Sequence, residues 1–294
     1  MFSHGKLVNQ KGQAIVEHII LWPALVFVVL GSIQLTALYR DKATLNDVVF
    51  RAAREGALKN AQLGPMHIMM VKGLVPLYLP ADPNVGDYLL SEAEAYVDNQ
   101  INPRNGNRIG SAPVQVQIIS PNRAVFDAFS TNMFEARMRR HGGWVNGCEQ
   151  SVQRRSGNDI TRCSERSIRQ IPNDNLNIRS TQLRNVRVAG ENVQLNLQDA
   201  NLLKIRGHWC APLSVPLVRS AFYHTLFRLR MLWQQNFWWF HASKSEVRAH
   251  PHWGACQAKT ARNAALAAAG VSSRVYYIPI SSDAVIRMQS PVRM

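Results

Sequence analysis

Three groups of residues in this chain have types and spacings suited to chemistry. The first is His250-Pro251-His252-Trp253-Gly254-Ala255-Cys256, with His241 upstream. It gathers imidazoles and a thiol, the donors that hold zinc or copper. It has no second close pair of donors and no Cys-x-x-Cys, and Cys256 is open to a disulfide, so we expect no metal and no cofactor. The second group is the four cysteines, Cys148, Cys163, Cys210 and Cys256, which permit three connectivities. Loop closure favours the nearer partners, Cys148 with Cys163 and Cys210 with Cys256. The third is Glu17, a carboxylate at the mouth of an uncharged run, where ionisation is costly unless a partner or a proton relieves it.

That run sets the class of the protein. Ile19 to Leu38 reads IILWPALVFVVLGSIQLTAL without a charge, and about 20 such residues make a helix that crosses a ~30 Å hydrocarbon layer. A cleaved secretory signal has a shorter apolar region followed by a small-x-small site, whereas this run continues into Tyr39-Arg40-Asp41-Lys42. Lys6 and Lys11 before it and Arg40 and Lys42 after it leave the orientation open by charge counting. All four cysteines lie beyond the run, which suits an oxidising compartment on that side.

The residues around this span carry a family resemblance. Lys11-Gly12-Gln13-Ala14-Ile15-Val16-Glu17 places a carboxylate fifth after a glycine, Pro23 follows six residues later, Gly31 eight after that, and then Leu38-Tyr39. This resembles the TadE-like family, pilin-related subunits of tight-adherence (Flp) pilus systems. The resemblance implies cutting by a prepilin peptidase between Gly12 and Gln13, and a Glu17 that pairs with a neighbouring subunit's new amino terminus. His18 stands where an aromatic often follows the glutamate. The resemblance further implies a short cytoplasmic leader over residues 1–12, a pilin-like helix over 13–63, and a periplasmic α+β domain over 64–294. Its partners would be other pilin-like subunits, the inner-membrane assembly platform and membrane lipid. Two later stretches are similar to longer members: Asp199 to Arg206 with Pro212 to Pro216, and Ile278-Pro279-Ile280 leading to Arg287-Met288-Gln289-Ser290-Pro291.

After the span, Leu38, Leu45, Val49, Ala52 and Gly56 fall near one face of an amphipathic helix. The small residues let another backbone approach, either a partner helix or the protein's own domain, and Gly64-Pro65 is expected to end the helix. Beyond it we expect a Pro-punctuated apolar stretch to Pro83, a helix through Leu90 to Val97 and an alternating strand at Val114 to Ile118. Strands follow near Val193 to Leu197, Leu202 to Trp209 and Val275 to Ile278. The Arg-, Gly- and Asn-rich region of about 137–187 shows little periodicity and reads as a long loop or insertion. Leu217 to Phe240 reads as one apolar-faced helix with Arg228 and Arg230 at its centre; a core helix and a membrane-contacting helix both fit. The mixture predicts an α+β fold.

Composition removes other classes. The 294 residues are 46% hydrophobic and 18% charged, which fits a folded chain. Net charge is +15 and pI about 10.3, but the arginines stand among Gly, Ser, Asn and Gln without interleaved aromatics, so no stacking platform for nucleic acid is expected. No nucleophile elbow, phosphate-cradling glycine loop or His-Glu-x-x-His occurs, and the acidic residues are scattered, so an enzyme is not expected. Two rivals remain beside the pilus reading: a pseudopilin of a type II-like secretion system, and an unprocessed, membrane-tethered periplasmic scaffold or binding protein.

Overall fold

A computed structural model describes residues 13–80, 82–140, 143–146, 163–173, 176, 181–188, 191–225, 252–270 and 275–293. The elements run α1 (Gln13–Leu58), α2 (Leu63–Leu74), α3 (Val85–Asn99), β1 (Gln115–Ser120), α4 (Arg123–Phe129), β2 (Thr131–Arg140), β3 (Gly143–Asn146), β4 (Cys163–Gln170), β5 (Arg184–Val188), β6 (Glu191–Leu195), α5 (Leu197–Ala200), β7 (Leu202–Leu213), α6 (218–225), α7 (Trp253–Ala268) and β8 (Tyr276–Arg287). The fold is α+β: a long apolar N-terminal helix followed by mixed helices and sheets. Three sheets are present among the described residues, with strand orders β1-β7-β8, β3-β2-β4 and β5-β6.

The chain divides into two compact units. One holds residues up to Leu45 with Gly110–Pro113 and His208–Ser281; the other holds Asn46–Ile109, Val114–Gly207 and Ser282–Met294.

Helix α1 is one rod of 46 residues. The amphipathic segment that the periodicity predicts is therefore continuous with the apolar one. Pro23 lies inside it, a position tolerated in apolar helices because local adjustments and neighbouring groups satisfy the freed carbonyl. The hydroxyls within the apolar stretch turn back on the helix: Ser32 Oγ donates to Val29 O at 2.7 Å and Thr36 Oγ1 to Ser32 O at 2.9 Å.

In the second unit, α1 ends without a glycine. Asn60 and Ala61 take the left-handed conformation (φ 58° and 59°), and the chain's last residues complete the cap. Ala57 O accepts from Ser290 N at 2.9 Å and Ser290 Oγ at 2.8 Å, and Asn60 Nδ2 donates to Pro291 O at 2.7 Å. A helix-end carbonyl that would otherwise lack a partner is thus satisfied by the tail. Gly64-Pro65 does not end α1; it lies in the first turn of α2, where a missing N–H costs nothing because the first turn has no acceptor for it. Helix α2, within the stretch read as apolar and Pro-punctuated, buries Met66, His67, Met70, Val71 and Leu74. Helix α3 starts earlier than its apolar pattern suggests, fixed by a capping box: Asp87 N donates to Asn84 Oδ1 at 2.9 Å and Asn84 N to Asp87 Oδ2 at 3.0 Å.

The basic region expected as a loop is largely strand where it is described. Strand β2 pairs antiparallel with β4 from Thr131↔Gln170 to Met138↔Cys163, and with β3 from Arg137↔Asn146 to Arg140↔Gly143. In sequence, Phe134, Ala136 and Met138 fall at alternate positions between polar residues. That period-two signal is short, and the surrounding arginines hide it.

Strand β7 passes through both units. Burial alternates from Leu202 to Arg206 and is then continuous from Gly207 to Ala211, the pattern of a central strand covered on both faces.

Candidate functional site

The residues expected to act in processing and assembly lie along α1. Gly12 falls outside the described residues. Gln13, Glu17, Pro23 and Gly31 follow one another on the same continuous helix, with Gln13 and Glu17 about one turn apart. The stretch beginning at Leu21 is long and apolar enough to cross a membrane, and it is little buried by the rest of the chain. Ile19, Leu21, Trp22, Leu25, Phe27, Val28, Ile33 and Leu35 are all exposed. Such a contiguous apolar surface marks a site of contact with a membrane or with another protein.

One stripe of that helix is covered. Gly31 is buried, and a Cβ built on it stands 3.8 Å from Phe222 Cε2. Gln34, wholly buried, accepts the backbone N–H of Val215 at its Oε1 at 2.9 Å. The sequence reading did not single out Gln34, although a lone amide within an uncharged run is a signal, because it needs a partner there. The helix expected from Leu217 starts one residue later. Leu217 itself lies outside it at φ 67°, and Val218 N donates to Pro216 O at 2.8 Å. Residues 226–240, including Arg228 and Arg230, fall outside the described residues.

The small-residue face of α1 is occupied by the protein's own domain, the second of the two packings left open above. Leu45, Val49, Ala52 and Gly56 are buried, while Leu38 is half-buried. A Cβ on Gly56 would stand 2.5 Å from Met66 Sδ and 3.1 Å from Leu203 Cδ2, and one on Gly207 would collide with Val49 Cγ2. Glycine at these points leaves room for the side chains of Met66 and Leu203 against α1 and of Val49 against β7.

Cys210 on β7 and Cys256 on α7 form a disulfide, with Cα atoms 5.3 Å apart. Cys148 lies outside the described residues, and Cys163 is described only as a backbone position in β4. His252 stands just before the first residue of α7, one turn before Cys256, and its Nε2 meets Pro113 O at 2.5 Å. His208 stacks on it with ring centroids 5.4 Å apart. The donor atoms of Cys210, His252 and Cys256 lie within 4.8 Å of one another. The two sulfurs are bonded to each other, however, which removes the thiolate charge on which zinc ligation depends. His241 and His250 lie outside the described residues. Helix α7 was missed by the sequence reading; its Ala-rich stretch from Ala261 to Ala269 was the available signal.

A second polar node was also missed. His67 on α2 is buried, with Nδ1 against Gly106 O at 3.0 Å and Nε2 accepting Val116 N–H at 3.1 Å. Burial holds its pKa down at about 4, with the nearby Arg108 charge adding to the effect against the hydrogen bond to Gly106. The ring is therefore neutral, a hub between α2, the loop at Gly106 and β1.

Residues 12–54 match the family model of TadE-like proteins. The matched segment spans Gly12, the apolar helix and most of its amphipathic extension, and similarity to TadE-like proteins is shown for that segment. No curated protein and no solved structure matches the chain.

Proposed function

We propose that this chain is a minor, pilin-like (pseudopilin) subunit that takes part in assembling a tight-adherence pilus at the inner membrane. It is not an enzyme in this reading. The short N-terminus is cytoplasmic, α1 crosses the membrane once, and the disulfide-bearing part is periplasmic. The prepilin peptidase cuts between Gly12 and Gln13, and Glu17 then pairs with the amino terminus of a neighbouring pilin-like subunit. The assembly platform of the inner membrane receives the processed chain.

One observation carries the proposal: the family match begins at Gly12, after which the resemblance implies the cut, and it takes in the apolar helix. Because the face from Val49 to Gly56 is taken up inside the chain, contacts between subunits fall on the outward stripe Leu21, Leu25, Val28 and Leu35. Small-residue packing between lipid-embedded helices has few sites there, so Glu17 becomes the main source of specificity.

The mature N-terminal residue decides the matter. In cells that contain the peptidase, a chain starting at Gln13, and a full-length chain in a Gly12→Leu variant, support processing. A wild-type chain that retains residues 1–12 overturns it and leaves the unprocessed tether or scaffold. The buried α1 face favours that second reading to this extent: it assigns the post-membrane helix a structural use within the chain. Cross-links between subunits from cysteines at Leu25 and Leu35 support assembly, and their absence supports the tether. A pseudopilin of a type II-like secretion system would form the same cross-links with the subunits of that machine.

A further inference from the structure

We propose that the turn at Leu217, together with the start of α6, is a second membrane contact that inserts into the lipid on the C-terminal side of the α1 span. This rests on the reading of α1 as a membrane-crossing helix.

The placement follows from α1. Gly31 and Gln34 lie inside the uncharged run Ile19–Leu38. Gln34 stands about 22 Å along the axis from Ile19, at about 1.5 Å per residue, still within a hydrocarbon layer of ~30 Å. Both residues are covered by the same stretch of chain, Val215 bonding to Gln34 and Phe222 standing over Gly31. Residues 215–222 are therefore fastened, at both ends, to a part of the helix that reaches membrane depth. On either side of the stripe, Ile33 and Leu35 remain exposed, so lipid facing them also meets the attached stretch.

Leu217 supplies an independent observation. Its φ of 67° and the Val218 N to Pro216 O bond make a tight γ-turn, a conformation that strains a residue carrying a β-carbon. The turn leaves the leucine side chain 79% exposed. In water the site would carry both the backbone strain and an uncovered leucine. In lipid the second cost becomes a gain, and the strain serves to hold the side chain outward. Arg219, half-buried, and His224, exposed on the following helix, can bury their stems while their polar ends reach the headgroups.

The test uses the full chain in vesicles of phosphatidylethanolamine and phosphatidylglycerol, with a nitroxide on Leu217→Cys. Collision rates are measured with oxygen, which concentrates in hydrocarbon, and with a water-soluble nickel chelate. Val28→Cys, 69% exposed within the span, is the lipid reference, Pro216→Cys is a second position on the turn, and the labelled parent chain is the blank. Oxygen-dominated relaxation at Leu217 and at Pro216, several-fold above that of the free label and shallower than Val28, supports the insertion. Nickel-dominated relaxation at Leu217 with Val28 still in lipid overturns it and leaves the span intact. Shielding from both reagents also overturns it, because another protein then covers the turn. Nickel access at Val28 removes the span and the insertion together. If the Leu217 variant fails to fold, the Pro216 label gives the same readings.

Discussion

Gln34, within the uncharged run of α1, and Val215, 181 residues later, share one hydrogen bond of 2.9 Å between a side-chain oxygen and a backbone N–H. Both residues are buried, so neither group can exchange its partner for water.

Removing the amide leaves the Val215 N–H buried and unbonded, a loss of about 1–3 kcal/mol. Gln34→Leu is accordingly expected to lower the thermal midpoint of the full chain in detergent, and Gln34→Glu to lower it less at a pH where the carboxyl is protonated, since its carbonyl oxygen can still accept without burying a charge. Fluorescence-monitored melting checks this. Equal midpoints for Gln34→Leu and wild type would show that the bond contributes nothing.

His67 makes stability depend on pH. Its folded pKa of about 4 lies below the unfolded value near 6.5, so between these limits the unfolded chain binds the additional proton. Stability is complete above pH 6.5 and is lost as pH falls toward 4. At about 1.4 kcal/mol per unit the full loss is at most about 3 kcal/mol. Denaturant midpoints of the wild type at pH 7 and pH 5 should differ by a part of this. In His67→Gln, which cannot protonate, the difference should shrink even though the variant is less stable at pH 7, having an altered geometry toward Gly106 and Val116.

Packing at Gly56 separates a structural from an interfacial use of α1. Gly56→Val drives a side chain into Met66 and Leu203, and overpacking of this kind costs about 1–3 kcal/mol. The expected result is a lower unfolding midpoint for the purified, monomeric chain in detergent. A variant as stable as wild type, but defective in subunit cross-linking, would return this face to a partner.

The long apolar helix was legible in the sequence because its signals are local. A 20-residue run without charge and the heptad-like positions of Leu45, Val49, Ala52 and Gly56 need no knowledge of the rest of the chain. What covers that face was not legible: Met66, Leu203 and Gly207 are its neighbours only through tertiary folding. Strands β2 to β4 were missed because arginines are interspersed among their apolar residues, and antiparallel pairing across residues 147–162 is a long-range choice. Gly64-Pro65 marked a boundary correctly but was assigned to the end of one helix instead of the start of the next, since proline is equally at home after a helix and in a first turn. Gln34 and His67 escaped for a related reason. A polar residue declares its purpose by its partners, and Val215, Gly106 and Val116 all lie far away in sequence.

The disulfide between Cys210 and Cys256 gives a further expectation. It closes a separation of 46 residues between β7 and α7, and chain entropy for a loop of that length corresponds to about 4 kcal/mol, within a usual range of about 2–5 kcal/mol. The aromatic packing of Tyr223, Trp253 and Tyr276, with ring centroids 4.7 Å apart for the two tyrosines, remains when the bond is absent. Cys210→Ala with Cys256→Ala should therefore lower the unfolding midpoint sharply without abolishing the fold at low temperature. The same pair of substitutions should leave membrane insertion of α1 unchanged, because the span precedes both cysteines by more than 100 residues. Carbonate extraction measures insertion, and limited proteolysis before and after reduction measures the part held by the bond. Protease resistance of the unreduced wild type that matches that of the double variant would show that the bond contributes no stability.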